Sequence, residues 1–152
     1  GSAISLESAF QGSKVFSHGG PFNGLYTKPA KVAKKDHRIK GSGSLQCFLF
    51  DGIRWNLEPK TAFYDWLYIH AAYKILKSDR GLLSYDGYTD IEFNPAKSIN
   101  CQARSCALYA SLLKRGILDE VLNDRDRFLG LLEKDQKSIY RSPKYIQPSL
   151  FD

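Results

Sequence analysis

Four polar residues near the start of the chain, Glu7, Gln11, Lys14 and His18, recur at i, i+4, i+7 and i+11 within "LESAFQGSKVFSHGG". On an α-helix these spacings share one face, with Glu7 and Lys14 two turns, about 10 Å, apart. A carboxylate, a neutral amide and an amine in that order suit glycosidic chemistry. The carboxylate can steady an oxocarbenium ion or activate water, and the amine can act as acid or nucleophile. The same spacing also describes an ordinary solvated helix face, and spacing alone does not separate the two readings. A second acidic candidate, Asp90, sits in "YDGYTDIEFNP", whose turn chemistry reads as an irregular, ordered loop. Such loops on a rigid scaffold often carry functional carboxylates.

The elements that must hold these groups follow from periodicity. A first helix is expected over Leu6 to Ser17, with Leu6, Ala9, Phe10 and Ser13 inward and the Gly19/Gly20 pair as its stop. The basic stretch "TKPAKVAKKDHRIKGSG" reads as a helix with Pro29 in its first turn, either a solvated face or a phosphate-binding edge. In "LQCFLFDGIRW", Asp51-Gly52 supplies a two-residue hairpin turn that pairs Phe50 with Ile53 and Phe48 with Trp55. "LEPKTAFYDWLYIHAAYKILK", opened by Pro59, is apolar nearly all round and reads as a buried central helix. "SINCQARSCALYASLLKRG" gives another helix, with a stripe of Ile99, Ala103, Cys106, Ala107, Ala110 and Leu113 and a stop at Gly116. Short helices are expected in "LDEVLND" and "RFLGLLEK", followed by an aperiodic tail from Ser138.

With 152 residues, 43% of them hydrophobic, the chain is long enough for one well-buried core. The opening Gly1-Ser2 and the lack of methionine read as a tag scar, which makes residues 3–137 the domain and 138–152 a C-terminal tail. No long apolar run or leader pattern stands out, so the expected setting is cytoplasmic with no membrane contact. Cys47, Cys101 and Cys106 lack C-x-x-C spacing and read as reduced thiols. His18, His37 and His70 are too scattered for a metal site, and His70 reads as a satisfied core histidine. The net charge of +6 favours an anionic partner.

Three segments, "SLESAFQGSKVFSHGGPF", "WNLEPKTAFYDWLYIHA" and "YDGYTDIEFNPAKSINCQARSCALYASL", resemble the NADAR domain, a YbiA-like family, and in particular its DarT-associated antitoxin branch. The resemblance covers roughly Leu6 to Leu132. It implies a mainly α fold, a single compact helical domain of the YbiA-like type, to which the Asp-Gly signal adds one small β-hairpin. The implied activity is N-glycosidic: removal of ADP-ribose from guanine bases in DNA, with no cofactor and no metal. Hydrolysis of riboflavin-pathway intermediates is an alternative within the family. A non-catalytic module that binds ADP-ribose or the toxin is an alternative outside catalysis. The family's essential glutamate, lysine and aspartate correspond to Glu7, Lys14 and Asp90. Its aromatic-glutamine pair is Phe10-Gln11, and its tryptophan is Trp66, with Trp55 as the other choice.

For the remainder of ADP-ribose, His18, Gly19 and Gly20 follow the first helix and the two glycines permit close backbone approach. Arg38 on the basic stretch, and Asn100 and Gln102 near a helix start, suit the pyrophosphate. Each reads equally well as a cap or surface residue. Tyr88 stands beside Asp90 to stack on a base or to pack the core. The expected partners are ADP-ribosylated guanine in DNA and a cognate DarT toxin. "QPSLF" in the tail resembles the short peptides that bind sliding clamps.

Overall fold

The computed structural model describes residues 4–77, 79–90 and 100–141. Ser5 caps the first helix, α1 (Leu6–Gly12), by accepting from the Ser8 N–H at 3.1 Å. The helix ends at Gly12 and does not reach Ser17. Ser13 Oγ bonds back to the Ala9 carbonyl at 2.7 Å, and the next residues form strand β1 (Lys14–Phe16). Val15 and Phe16 are good strand formers, and the partner that captures them lies about 30 residues on. That partner, β2 (Leu45–Phe50), pairs antiparallel with both β1 and β3 (Ile53–Trp55), giving a three-stranded sheet where the sequence shows only a hairpin. The Asp-Gly turn pairs Phe50 with Ile53 and Phe48 with Trp55, and Asp51 and Gly52 both have positive φ, as a type I′ turn requires.

Gly19 and Gly20 therefore do not stop a helix. Gly19 bridges back to Phe16, and Gly20, at φ 97°, lies against the Lys14 carbonyl. A Cβ at Gly20 would fall 2.2 Å from that oxygen, so only glycine fits, and the pair fastens the strand that carries Lys14.

The basic stretch forms two helices, α2 (Ala30–Lys35) and α3 (His37–Gly41). Asp36 adopts an extended conformation between them and caps Arg38, which breaks the continuous helix suggested by the pattern. Pro29 precedes α2 as its cap residue. The central helix α4 (Ala62–Leu76) begins after Thr61, which sits at φ 68°. Its first half is buried, whereas Ile75 is 82% exposed, so the axis is only half enclosed. α5 (Gln102–Lys114) turns Ser105, Tyr109, Ala110, Leu112 and Leu113 inward, a face that keeps Ala110 and Leu113 of the expected stripe but is rotated from Ala103, Cys106 and Ala107, which are half-buried; Ile99 lies outside the described residues.

α6 (Leu118–Asn123) and α7 (Arg125–Arg141) close the core. α7 continues through Ser138, beyond the point where the sequence pattern ends regular structure; the "QPSLF" segment, at 147–151, lies outside the described residues. The core is an aromatic stack: Phe10, Phe48 and Phe63 meet at 4.8–6.1 Å, and Tyr64 meets Phe10 edge-on at 5.3 Å. Tyr109, Phe128, Ile69 and Val121 extend this core toward α6 and α7. The expected mainly α domain with a small β-hairpin is what the chain forms, with β1 adding a third strand to the hairpin. Among the described residues, no helix is long and apolar enough to cross a membrane.

Candidate active site

Glu7 and Gln11 sit one turn apart on α1, and Gln11 Nε2 donates to Glu7 Oε1 at 2.7 Å. Gln11 is 6% exposed, which overturns its reading as part of a solvated stripe. Its own Oε1 is buried without a hydrogen-bond partner among the described residues, a state that costs about 1–3 kcal/mol. The amide orientation follows from this pairing: reversed, it would set two oxygens against each other at the Glu7 carboxylate.

Lys14 reaches the same group by another route. It is not two turns up α1 but the first residue of β1, and the chain reversal at Ser13 returns its amine to 4.9 Å above the Phe10 ring. Burial pushes its pKa below the ordinary lysine value; the Glu7 carboxylate opposes that shift and Lys34 on α2 adds to it. Phe10 itself is a core ring, enclosed by Phe48, Phe63 and Tyr64.

On α4, Tyr64 meets the Phe10 ring edge-on at 5.3 Å, and Tyr68 follows one turn later. Burial raises the Tyr64 phenol to about 12, a hydrogen bond with Gln102 opposes the shift, and Glu7, Asp65 and Asp90 add to it. Tyr64 therefore lies within electrostatic reach of all three carboxylates, the candidates Glu7 and Asp90 among them. Tyr68 is likewise raised to about 12, by burial and by the neighbouring Cys106 thiol. A cleft of about 380 Å3 opens beside them, lined by Tyr68, Leu82, Tyr85, Tyr88, Asp90 and Gln102 among others. Tyr88 is anchored there by its hydroxyl, which donates to the Leu82 carbonyl at 2.6 Å.

Asp90 is held by the start of α5. Its Oδ1 accepts from the Ala103 N–H at 2.8 Å, and its Oδ2 accepts from Cys101 Sγ at 3.0 Å, which pushes the Cys101 thiol up. α5 is in turn tied to α4 through Asp65, which is 1% exposed. Asp65 accepts from Thr61 Oγ1 at 2.7 Å, Arg104 Nη1 at 2.7 Å and Ser105 Oγ at 2.5 Å. This network fixes where Gln102 and Asp90 stand relative to Tyr64.

The structure thus gathers Glu7, Gln11, Lys14 and Phe10, and links them through Tyr64 to Gln102, Asp90 and the Tyr88 cleft. Half-buried Asn100 precedes α5, and residues 91–95 of "TDIEFNP" lie outside the described residues. The remaining candidates are engaged by neighbours of their own. Trp66 lies on the opposite side of α4, packed on Trp55, His70 and Phe128 at 5.4, 4.2 and 5.3 Å. Trp55, the other choice, is 4% exposed in the same core. His18 is exposed beside Ser17. Arg38 makes a bidentate pair with Asp36 at 2.8 and 3.0 Å, which holds the Asp36 carboxyl down to about 2, and its guanidinium lies over Phe22.

His70 Nδ1 and Nε2 stand 2.9 and 3.2 Å from the Trp66 and Leu122 carbonyls, and a neutral ring donates to one of the two, as its tautomer sets. The cysteines are free thiols, with Cys47 buried and Cys101 and Cys106 half-buried. Among the described residues no cluster of three potential metal ligands occurs. Tyr64 and Tyr68 were missed by the sequence reading because each is one more aromatic on a nearly all-apolar helix. Their i, i+4 spacing, outside the main apolar set, is the signal that could have found them.

The carboxylate, the amide and the half-buried amine stand on a small, mainly α domain, the fold class that the NADAR resemblance implies. The model of one such family, the DarT1-associated NADAR antitoxin, matches residues 1–142, and the chain belongs to that family. The family name ties it to a DarT1 toxin. No curated protein matches the chain.

Proposed function

We propose that this antitoxin is an N-glycosidase that removes ADP-ribose from guanine bases in DNA and so reverses the toxin's modification. The observation that carries this reading is the half-buried Lys14 amine, its pKa lowered by burial, beside a Glu7 carboxylate that Gln11 holds in one orientation. Breaking a ribosyl C1′–N bond leaves positive charge on the sugar and negative charge on the base, and a fixed carboxylate stabilises the former. Gln11 engages Oε1 of Glu7, and among the described residues no hydrogen bond is made by Oε2, which serves the reacting sugar or water in this reading.

In this reading the Lys14 amine attacks C1′ as the bond to the guanine nitrogen breaks. The base leaves with a proton, the ribose ring opens onto the amine as a Schiff base, and water releases ADP-ribose. Lowering the amine's pKa raises the fraction of free base available near neutrality. Asp90, with both oxygens engaged at the start of α5, acts as a positioning residue for Gln102 and the cleft, and proton transfer falls to Glu7.

The test is a multiple-turnover assay with protein at a small fraction of the ADP-ribosyl-guanine substrate, combined with borohydride trapping. Released ADP-ribose in excess of protein, with a trapped adduct on Lys14, is the expected result. Tight ADP-ribose binding with no turnover would instead make the protein a binding module. An adduct that persists in Lys14→Ala would remove Lys14 as the nucleophile.

A further inference from the structure

Residues 28–40 hold six basic side chains, Lys28, Lys31, Lys34, Lys35, Arg38 and Lys40, against one acid, Asp36. That is a net +5 of the chain's +6, so the remainder of the molecule is nearly neutral and its charge is gathered on one edge. Among the described residues the ion pair of this stretch is the one between Arg38 and Asp36, and the five lysines stand exposed without an acid. A merely solvated helix face usually alternates its charges; here Lys31, Lys34 and Lys35 are like-charged neighbours at i, i+3 and i+4, which destabilises the helix by a few tenths of a kcal/mol per pair. Lys34 and Lys35 gain something from the end of α2, but Lys31 sits in its first turn, where a cation is unfavourable.

This edge adjoins the catalytic wall. Ala33 is fully buried and α2 lies against α1, and Ser8 Oγ, next to Glu7, donates to the Lys28 carbonyl at 2.7 Å. Lys34 is close enough to Lys14 to act on its charge.

We propose that the exposed face of α2 and α3 is the track for the phosphodiester backbone of the DNA strand that carries the modified guanine. This rests on the reading of the site as a DNA-directed glycosidase. The lysines bind successive phosphates as point charges, so the surface adds affinity without sequence preference. It makes a modified strand a better substrate than the same modified base without flanking phosphates.

The experiment compares the full chain with Lys31→Glu/Lys35→Glu, two exposed positions one turn apart and outside the catalytic group. Three measurements are made at 50 and 200 mM salt. They are hydrolysis of an ADP-ribosylated single-stranded oligonucleotide, hydrolysis of ADP-ribosyl-guanosine, and fluorescence-anisotropy binding of an unmodified oligonucleotide. The expected result is a fall of about tenfold or more in kcat/KM on the oligonucleotide, carried by KM, with the nucleoside unchanged. The salt slope of binding should drop by about 1.4, two phosphate contacts at ~0.7 each.

Equal losses on both substrates, or oligonucleotide binding unchanged by the charge reversal, would overturn the track. If the wild type cleaves neither substrate, the glycosidase reading fails, while the anisotropy arm still decides the surface.

Discussion

Replacing Gln11 by methionine separates a functional amide from a structural one. Gln11 is buried, and its amide makes a charge-assisted hydrogen bond of 2.7 Å to Glu7, which contributes about 1.5–3 kcal/mol. Its carbonyl oxygen is unpartnered in the interior, which costs about 1–3 kcal/mol. Methionine fills similar volume and removes both, so the two effects offset and stability should change by no more than about 1 kcal/mol. For a chain of this size that is a shift of roughly 2–4 °C in Tm. Glu7, however, loses the donor that fixes its carboxylate, and misplacement of a catalytic group by about 1 Å costs on the order of 100-fold in rate.

Thermal unfolding and turnover on ADP-ribosyl-guanine, measured on the same preparation, supply the two numbers. Near-native Tm with turnover down about 100-fold is expected. A loss above about 3 kcal/mol with turnover per folded molecule unchanged would refute the reasoning, because the amide would then serve the fold and not Glu7. Gln11→Glu sharpens the contrast: it sets a second carboxylate where the amide donates to Glu7 and should lower Tm and turnover together.

Three further outcomes are expected. Gly20→Ala forces a side chain into the Lys14 carbonyl at a left-handed φ and should cost roughly 3 kcal/mol in denaturant unfolding, with activity falling alongside; an unchanged midpoint would show that the strand does not depend on that contact. Asp65→Ala strips the buried network joining α4 to α5, but half-exposed Arg104 can turn to water and Ser105 can fall back on the Cys101 carbonyl, so the expected loss is about 2–3 kcal/mol, read as Tm. Burial pushes the Tyr64 phenol up from the ordinary 10.0 to about 12, so its contribution is complete below pH 10 and is lost as pH rises toward 12. Stability should therefore fall across that window, and Tyr64→Phe should flatten the fall; an identical slope in the variant would contradict the burial of that phenol.

The parts of the fold legible in the sequence were those encoded locally. Asp51-Gly52 fixes its own turn and register, and the apolar period of α5 survives even though its inward face is rotated. What was not legible depends on distant partners. Nothing in "GSKVF" shows that β2, far along the chain, will take Lys14 out of a helix, and nothing in "AKKDHR" favours Asp36 as a break over Asp36 as a surface acid. The grouping of Glu7, Gln11 and Lys14 was read on the assumption of a continuous helix, and a turn and a strand bring the three together instead. Arg38 and Trp66 illustrate the converse: one is engaged by its own neighbour at i−2, the other by core rings, and neither engagement is visible from residue type. Asp90 shows a third case, in which a carboxylate recognised by its motif is occupied by the N-terminus of the next helix.

The central claim is most directly tested by intact-mass analysis of an oligonucleotide bearing a single ADP-ribosylated guanine, incubated with wild type, Glu7→Gln and Lys14→Ala. The account predicts that wild type returns the unmodified oligonucleotide with one equivalent of free ADP-ribose and that both variants leave the substrate intact. An unchanged substrate with wild type, or complete release by both variants, would contradict it.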